Sequence, residues 1–342
     1  MGLFRGRKIA QNVWEPALLT QWLIPKNASG NDYNRVGSAR HERPSPLFHG
    51  PEKHPWMSIM LYFKVRENYD NLTILIQQFV HGWRDRFGHV RQAEKRVEAT
   101  PEEFTKRLRA FAADHPEADI VGFTRMRPEW MFKGQLPPKH PWIVVVAKAM
   151  DYDTLSYNLK GDFRTAVKAV MGGYERNHKA VVDIANWILK QGYSAKGYGG
   201  LTMIKDEWHV MIPPAIECGI GQLAKNGSMI NDQLGSCFRL ATVLTDMPFV
   251  ADQPREIGVD EFCTSCKKCQ TDCPPGAISN EKQLVRGDVK WYVDFDKCMP
   301  FLAEHKACGL CLSTCPWSRP GIAPNLSQKM LKKMARQATP AH

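Results

Sequence analysis

The longest helical periodicity in the chain runs over residues 162–191, where Phe163, Val167, Val170, Tyr174, Val181, Ala185 and Ile188 recur on one face. Gly172-Gly173 interrupt the stripe, and each costs about 1 kcal/mol against alanine in a helix interior. A kink or break is expected there, with Tyr174 at the bend. A second helix is signalled by Thr100-Pro101-Glu102-Glu103, a capping box with proline at the first helical position, followed by Phe104, Leu108 and Phe111 on one stripe. Two strand-like runs rich in β-branched residues cover 118–126 (ADIVGFTRM) and 141–150 (PWIVVVAKAM). WMSIMLYFKV (56–65) reads as a strand or the start of a short helix. KDEWHVMIPPAIECGIGQLAKNG leads from a strand through Pro213-Pro214 into a short glycine-rich helix. SMINDQLGSCFRLATVLTDMPF reads as a hairpin around Asn231-Asp232. Residues 25–58 lack periodic apolar positions and read as a long arm lying over another part of the chain. The tail after Pro320 is basic and expected to be loosely held. Strands and helices are mixed rather than alternating, which suggests an α+β sheet domain followed by a ferredoxin-like insert.

Length and charge narrow the classes. A chain of 342 residues can bury two cores. A formal net charge of +11 favours an acidic partner protein, an anionic cofactor, nucleic acid or an anionic membrane surface. No segment reaches about 18 uninterrupted apolar residues, so no integral membrane segment is expected. The start, MGLFRGRKIAQNVW, has no apolar signal core and no twin-arginine pair, and Gly6 stands where myristoylation expects Ser or Thr. The expected location is cytoplasmic.

The cysteines carry the strongest chemistry. Cys263, Cys266, Cys269 and Cys273-Pro274 follow the C-x2-C-x2-C-x3-C-P run, whose fourth cysteine ligates the other cluster in two-cluster ferredoxins. That rule demands a partner run. Cys298, Cys308, Cys311 and Cys315-Pro316 supply it, the first thiol displaced by MPFLAEHKA. The exchange gives Cys263, Cys266, Cys269 and Cys315 to one [4Fe-4S] cluster, and Cys273, Cys298, Cys308 and Cys311 to the other. Zinc ribbons use paired C-x2-C knuckles without the x3-C-P ending. Disulfides would need an oxidising compartment. Cys218 and Cys237 stand outside the runs and read as small buried apolar residues.

In this order, ADIVGFTRMRPEWMF, AIECGIGQLAKNGSMINDQLGSCFRLATVLTDMPF, FCTSCKKCQTDCPPGAIS and KWYVDFDKCMPFL…CGLCLSTCPWS resemble the corrinoid-dependent reductive dehalogenases over roughly residues 115–320. A weaker resemblance is to epoxyqueuosine reductase, which acts on tRNA. The resemblance implies a nitroreductase-like cobalamin-binding domain with a C-terminal two-[4Fe-4S] ferredoxin-like module. It divides the chain into an arm (1–60), a cobalamin-binding catalytic domain (61–255), the cluster module (256–320) and a basic tail (321–342). It implies base-off cobalamin, and no D-x-H-x-x-G motif is present.

By the same resemblance Tyr174, in VMGGYERNH, matches the proton donor, and Lys225, in GQLAKNG, matches the cation that stabilises the phenolate left after donation. Arg286 would help bind an anionic substrate or the leaving halide. Gly219 and Gly221 read as glycines where backbone meets cofactor, and Asp246 as a corrinoid neighbour or a turn cap. Trp130, Trp208 and Trp291 are candidates for an aromatic pocket. The implied reaction replaces a carbon-bound halogen of an aromatic or alkene by hydrogen. Electrons would come from an external ferredoxin, flavodoxin or reductase. No nucleic-acid partner is expected on this reading. The alternatives are a tRNA-modifying enzyme resembling epoxyqueuosine reductase and a non-catalytic iron–sulfur or corrinoid electron-transfer protein.

Overall fold

The β-branched runs form one edge strand and the strand beside it in a four-stranded antiparallel sheet, ordered Ile120–Arg125, Trp142–Ala149, Phe238–Thr245, Ala195–Tyr198. The computed structural model describes residues 2–46, 54–62, 76, 79–80, 82–84, 87–199 and 206–338. Val144 pairs with Phe123 on one side and Val243 on the other. Residues 143–147 are apolar without alternation because both faces of this strand are covered. Val144 and Val146 join Phe104, Leu108, Val181, Ile184 and Ile188 in one core. Ile143, Val145 and Ala147 join Met131, Ala215, Ile220 and Met229 in the other. The period of two along a strand thus divides one sequence run between two layers.

The capping box forms as read: Thr100 accepts from the Glu103 amide at 3.3 Å, and Glu103 accepts from the Thr100 amide at 3.1 Å. The helix it opens is Pro101–Ala113.

Three expectations need correction. The long helix, Phe163–Lys190, does not break at its glycines. A Cβ at Gly173 would stand 2.9 Å from Met150 Cγ and 3.1 Å from Arg239 Cγ, so the missing side chain serves the approach of helix to sheet; Gly172 faces open space. The hairpin around Asn231-Asp232 is replaced by a local loop. Met229–Ile230 pairs back onto Gln222–Leu223, and Asn231 and Gly235 exchange backbone hydrogen bonds. The Asn231 side chain satisfies the amides of Gln233 and Leu234, an Asx turn that competes with strand pairing. The basic tail is a helix, Ala323–Ala338. Ser327 Oγ donates to the Ile257 carbonyl, Lys333 pairs with Glu261 at 2.6 Å, and Met330 packs against the core of the cysteine module.

The arm is tied to the second half of the cysteine module. Ser29 Oγ and the Gly30 amide each donate to Asp296 at 2.6 Å. Asn31 Oδ1 accepts from Tyr292 and the Phe295 amide. Glu304 accepts from the Gly6 and Ala17 amides and from the Trp14 indole. Residues 57–62 are helical after a turn at Trp56; the end of WMSIMLYFKV (63–65) and the start of KDEWHV lie outside the described residues. No helix among the described residues is long and apolar enough to cross a membrane.

Candidate functional site

The eight run cysteines sort into two groups. Cys263 rides the helix Val259–Ser265, Cys266 caps its C-terminal end, Cys269 lies in Lys268–Thr271, and Cys315 precedes the turn Pro316–Ser318. These four line one small recess together with Lys225, Phe262 and Pro316. Burial first, then mutual repulsion with Cys263, Cys269 and Cys266, pushes the Cys315 thiol up to about 12. Burial first, with repulsion from Cys263 and Cys266 next, raises Cys269 to about 12.

The second group gathers Cys273, Cys298, Cys308 and Cys311. Burial dominates again, and Cys298 feels Cys273, Cys308 feels Cys298 and Cys273, and Cys311 feels Cys308, Cys298, Cys269 and Cys273. Residues Lys306, Ala307, Cys308 and Gly309 run consecutively at φ of +47°, +70°, +42° and +74°. Three of these are not glycine, and each costs of order 1–3 kcal/mol unless the surroundings hold it. Asn158 does so by donating to the Cys308 carbonyl at 3.0 Å, and Ser313 Oγ donates to Asn158 at 2.5 Å. The two groups touch electrostatically through Cys269 and Cys311.

A single zinc needs its four sulfurs about 3.8 Å apart, from bonds of about 2.3 Å. Among the described residues no three Cys, His, Asp or Glu side chains close round one such point. Four thiols lining a common recess, Cys263 and Cys315 buried and Cys266 and Cys269 partly so, fit a larger anionic core whose metal takes over their protons.

The remaining candidates fall in different places. Lys225 is 1% exposed and donates to the Cys266 carbonyl and Asn280 Oδ1, both at 2.8 Å, with the Trp291 ring centroid 4.9 Å from Nζ. Tyr174 packs against Met150, Leu155, Ala169, Val170, Cys237 and Leu312, a cluster that Cys311 also abuts. The cation over its ring is Arg239, 4.7 Å from the centroid. Arg286 sits at φ +51° in the turn after Gln283–Val285 and donates to the Asn34 carbonyl; burial lowers its guanidinium pKa. It serves the arm, away from Tyr174.

Protein backbone explains both glycines. A Cβ at Gly221 would meet the Ile230 carbonyl oxygen at 2.3 Å, and one at Gly219 the Gln253 carbonyl oxygen at 2.5 Å. Asp246 accepts from the Ser194 amide and pairs with Arg96 at 2.5 Å, so it fastens the end of one strand to the start of another. Trp130 and Trp208 share one core, whereas Trp291 belongs to the recess of the first thiol group. Cys218 and Cys237 are buried thiols that burial raises to about 12.

Sequence reasoning missed Arg239 and Asn177. Asn177, one helical turn after Tyr174, is fully buried, and among the described residues neither amide atom has a partner, nor do the buried Nε atoms of Arg176 and Arg239. Such groups cost about 1–3 kcal/mol each when left unsatisfied. The available signals were a lone arginine in the apolar strand FRLATVLT and a polar residue three positions beyond Tyr174.

Residues 262–318 match the family model of a 4Fe-4S dicluster domain. A tetrachloroethene reductive dehalogenase of Desulfitobacterium hafniense is 30% identical over 219 residues, which are 59% of this chain and 37% of that protein. Over that stretch the chain is similar to the reductive dehalogenases. A catabolic reductive dehalogenase, NpRdhA, solved in complex with 3-bromo-4-hydroxybenzoic acid, superposes over 84% of this chain and 41% of its own, at 22% identity and a TM-score of 0.64. The α+β fold with a C-terminal dicluster module is thus that of a reductive dehalogenase. An epoxyqueuosine reductase of Cyclobacterium marinum matches more weakly, 28% over 113 residues, 31% of this chain and 36% of that protein. The chain spans well under half the length of these relatives.

Proposed function

We propose that this chain is the catalytic core of a corrinoid iron–sulfur reductive dehalogenase. One cluster is held by Cys263, Cys266, Cys269 and Cys315, the other by Cys273, Cys298, Cys308 and Cys311. The observation that carries the reading is the sorting of these thiols into two adjoining groups, the second on the same apolar cluster as Tyr174. The reaction takes an organohalide, two electrons and a proton to the hydrocarbon and halide. The clusters pass electrons singly, and the corrinoid supplies the low-potential cobalt chemistry. The unpartnered amide of Asn177 and the Nε atoms of Arg176 and Arg239 suit a ligand rimmed with amide groups, as a corrinoid is.

The chain's own part in the chemistry is protonic and electrostatic. Tyr174 Oη donates the proton, and the Arg239 guanidinium over its ring stabilises the charge left behind. This assigns to Arg239 the role the resemblance gave Lys225. Arg286, Gly219, Gly221 and Asp246 take structural roles in this reading. The +11 balance suits an acidic external donor such as a ferredoxin or flavodoxin. Ten cysteines suit the reducing cytoplasm.

The test is an anaerobic preparation loaded with iron, sulfide and cobalamin, reduced by viologen and offered a panel of halogenated phenols and alkenes. Halide release dependent on cobalamin is expected. A preparation holding about eight irons and one corrinoid that releases no halide from any member overturns the reading. Tight, steeply salt-dependent binding of tRNA by that preparation would point to the tRNA-modifying alternative.

A further inference from the structure

Lys225 carries a charge that the protein does not neutralise. Its Nζ is bonded to a backbone carbonyl and to the Asn280 side-chain oxygen, both neutral, and no carboxylate lies within ion-pair distance of it among the described residues. Trp291 fixes the site from the side, its indole donating to Asp260 at 2.9 Å and its face turned to the ammonium. A buried ammonium without a counterion is costly enough that such lysines are paired or lose their proton. The recess it enters is lined by Cys263, Cys266, Cys269 and Cys315. A four-iron core with four thiolates is a dianion when oxidised and gains a further negative charge on reduction.

We infer that Lys225 is the counterion of this first cluster and sets its reduction potential above that of the second. The inference rests on the cluster assignment proposed above. The ammonium stabilises the extra electron, so the cluster it faces accepts electrons more readily. At the second group the cation that acts on Cys273 is Lys297, whose side chain is more than half exposed and paired with Asp294 at 3.6 Å, and Arg239 is turned to the Tyr174 ring. Lys225 thereby acts on electron flow, as a potential-setting residue that touches no substrate. Lys282 offers an internal control. It also approaches Trp291, at 5.5 Å, but it is paired with Asp260 at 2.7 Å and contributes little net charge.

The test is a mediator-poised redox titration read by low-temperature electron paramagnetic resonance, with iron and sulfide counted beforehand. In Lys225→Gln one of the two midpoints falls by at least a tenfold change in its reduction equilibrium, about 59 mV for one electron, while the other stays. Asn280→Asp keeps the ammonium and adds a carboxylate beside it, and lowers the same midpoint. Lys282→Gln leaves both unchanged. If the variants hold full iron and neither midpoint moves by as much as twofold, the inference fails. Loss of the first cluster from both Lys225→Gln and Asn280→Asp makes Lys225 an assembly residue and overturns it too. Absence of iron from the unaltered chain instead sinks the cluster assignment itself, so the two failures are told apart before any titration.

Discussion

The two thiol groups are drawn from two runs that share the C-x2-C-x3-C-P ending, and they end in different surroundings. The first shares its recess with an ammonium, Lys225, whose Nζ lies over the Trp291 ring. The second lies under a loop of left-handed residues and beside the apolar cluster that carries Tyr174. Identical ligand chemistry thus meets a charged environment at one end and a phenol-bearing, largely apolar one at the other. Potentials of such clusters respond to charge, hydrogen bonding and exposure. On the proposed reading the two clusters differ in the charge beside them, and the proton donor lies at the second.

The comparison breaks hardest at its thiols. Cys315 ends the second run but lines the first recess, whereas Cys311, four residues earlier, belongs to the second group. Cys315→Ser should remove the paramagnetic signal whose midpoint answers to Lys225, and Cys311→Ser the other. Each should lower iron from about eight to about four atoms per chain and abolish turnover. Loss of the same signal in both variants would mean that each run builds its own cluster.

How much of this was legible in the sequence depended on how local the signal was. The cysteine spacing, the capping box at Thr100 and the strands about Gly122 and Val145 encode their structure within a few residues, and the chain follows them. The exchange of Cys273 and Cys315 was legible because the ferredoxin rule carries a long-range contact in its spacing. Side-chain partners across elements were not. The resemblance matched Lys225 to the cation of the donor pair, but Lys225 Nζ is held by Cys266 and Asn280, 41 and 55 residues away in sequence. Arg239 came instead to Tyr174 through the packing of helix on sheet. Asp246 and Arg286 are likewise held by partners that no local pattern names, Arg96 for one and the arm for the other.

At the second group the expected effects decline from the donor outward. Tyr174→Phe should cut turnover by about 10²–10⁴-fold, the usual contribution of a placed acid, with iron, corrinoid and both midpoints unchanged. A non-catalytic electron carrier would be indifferent to this change, so equal electron transfer by both forms with no halide released by either would favour that alternative. Arg239→Gln should cost about tenfold in turnover, in line with about 1–2 kcal/mol for a partly desolvated cation over an aromatic ring. The midpoint governed by Lys225 should stay where it is. A larger loss in Lys225→Gln than in Arg239→Gln, with no movement of either midpoint, would restore Lys225 as the partner of the phenol.

The smallest effect tests what brings Tyr174 and Arg239 together. Gly172 and Gly173 are neighbours in one unbroken helix, and the same substitution should act on them with opposite sign. At Gly172 a Cβ meets nothing within 4 Å, so Gly172→Ala should stabilise by up to about 1 kcal/mol through the helix alone. At Gly173 the same methyl would press on Met150 and on the Arg239 stem, 2.9 and 3.1 Å away. Overpacking of that kind costs about 1–3 kcal/mol, which outweighs the gain in helix propensity. Gly173→Ala should therefore lower the thermal midpoint where Gly172→Ala raises it. Because the displaced stem belongs to the cation over Tyr174, turnover should fall with it while both cluster midpoints hold. Equal stabilisation by the two alanines would show that the helix has room to spare at Gly173, and that contact with the sheet does not set the spacing of phenol and guanidinium.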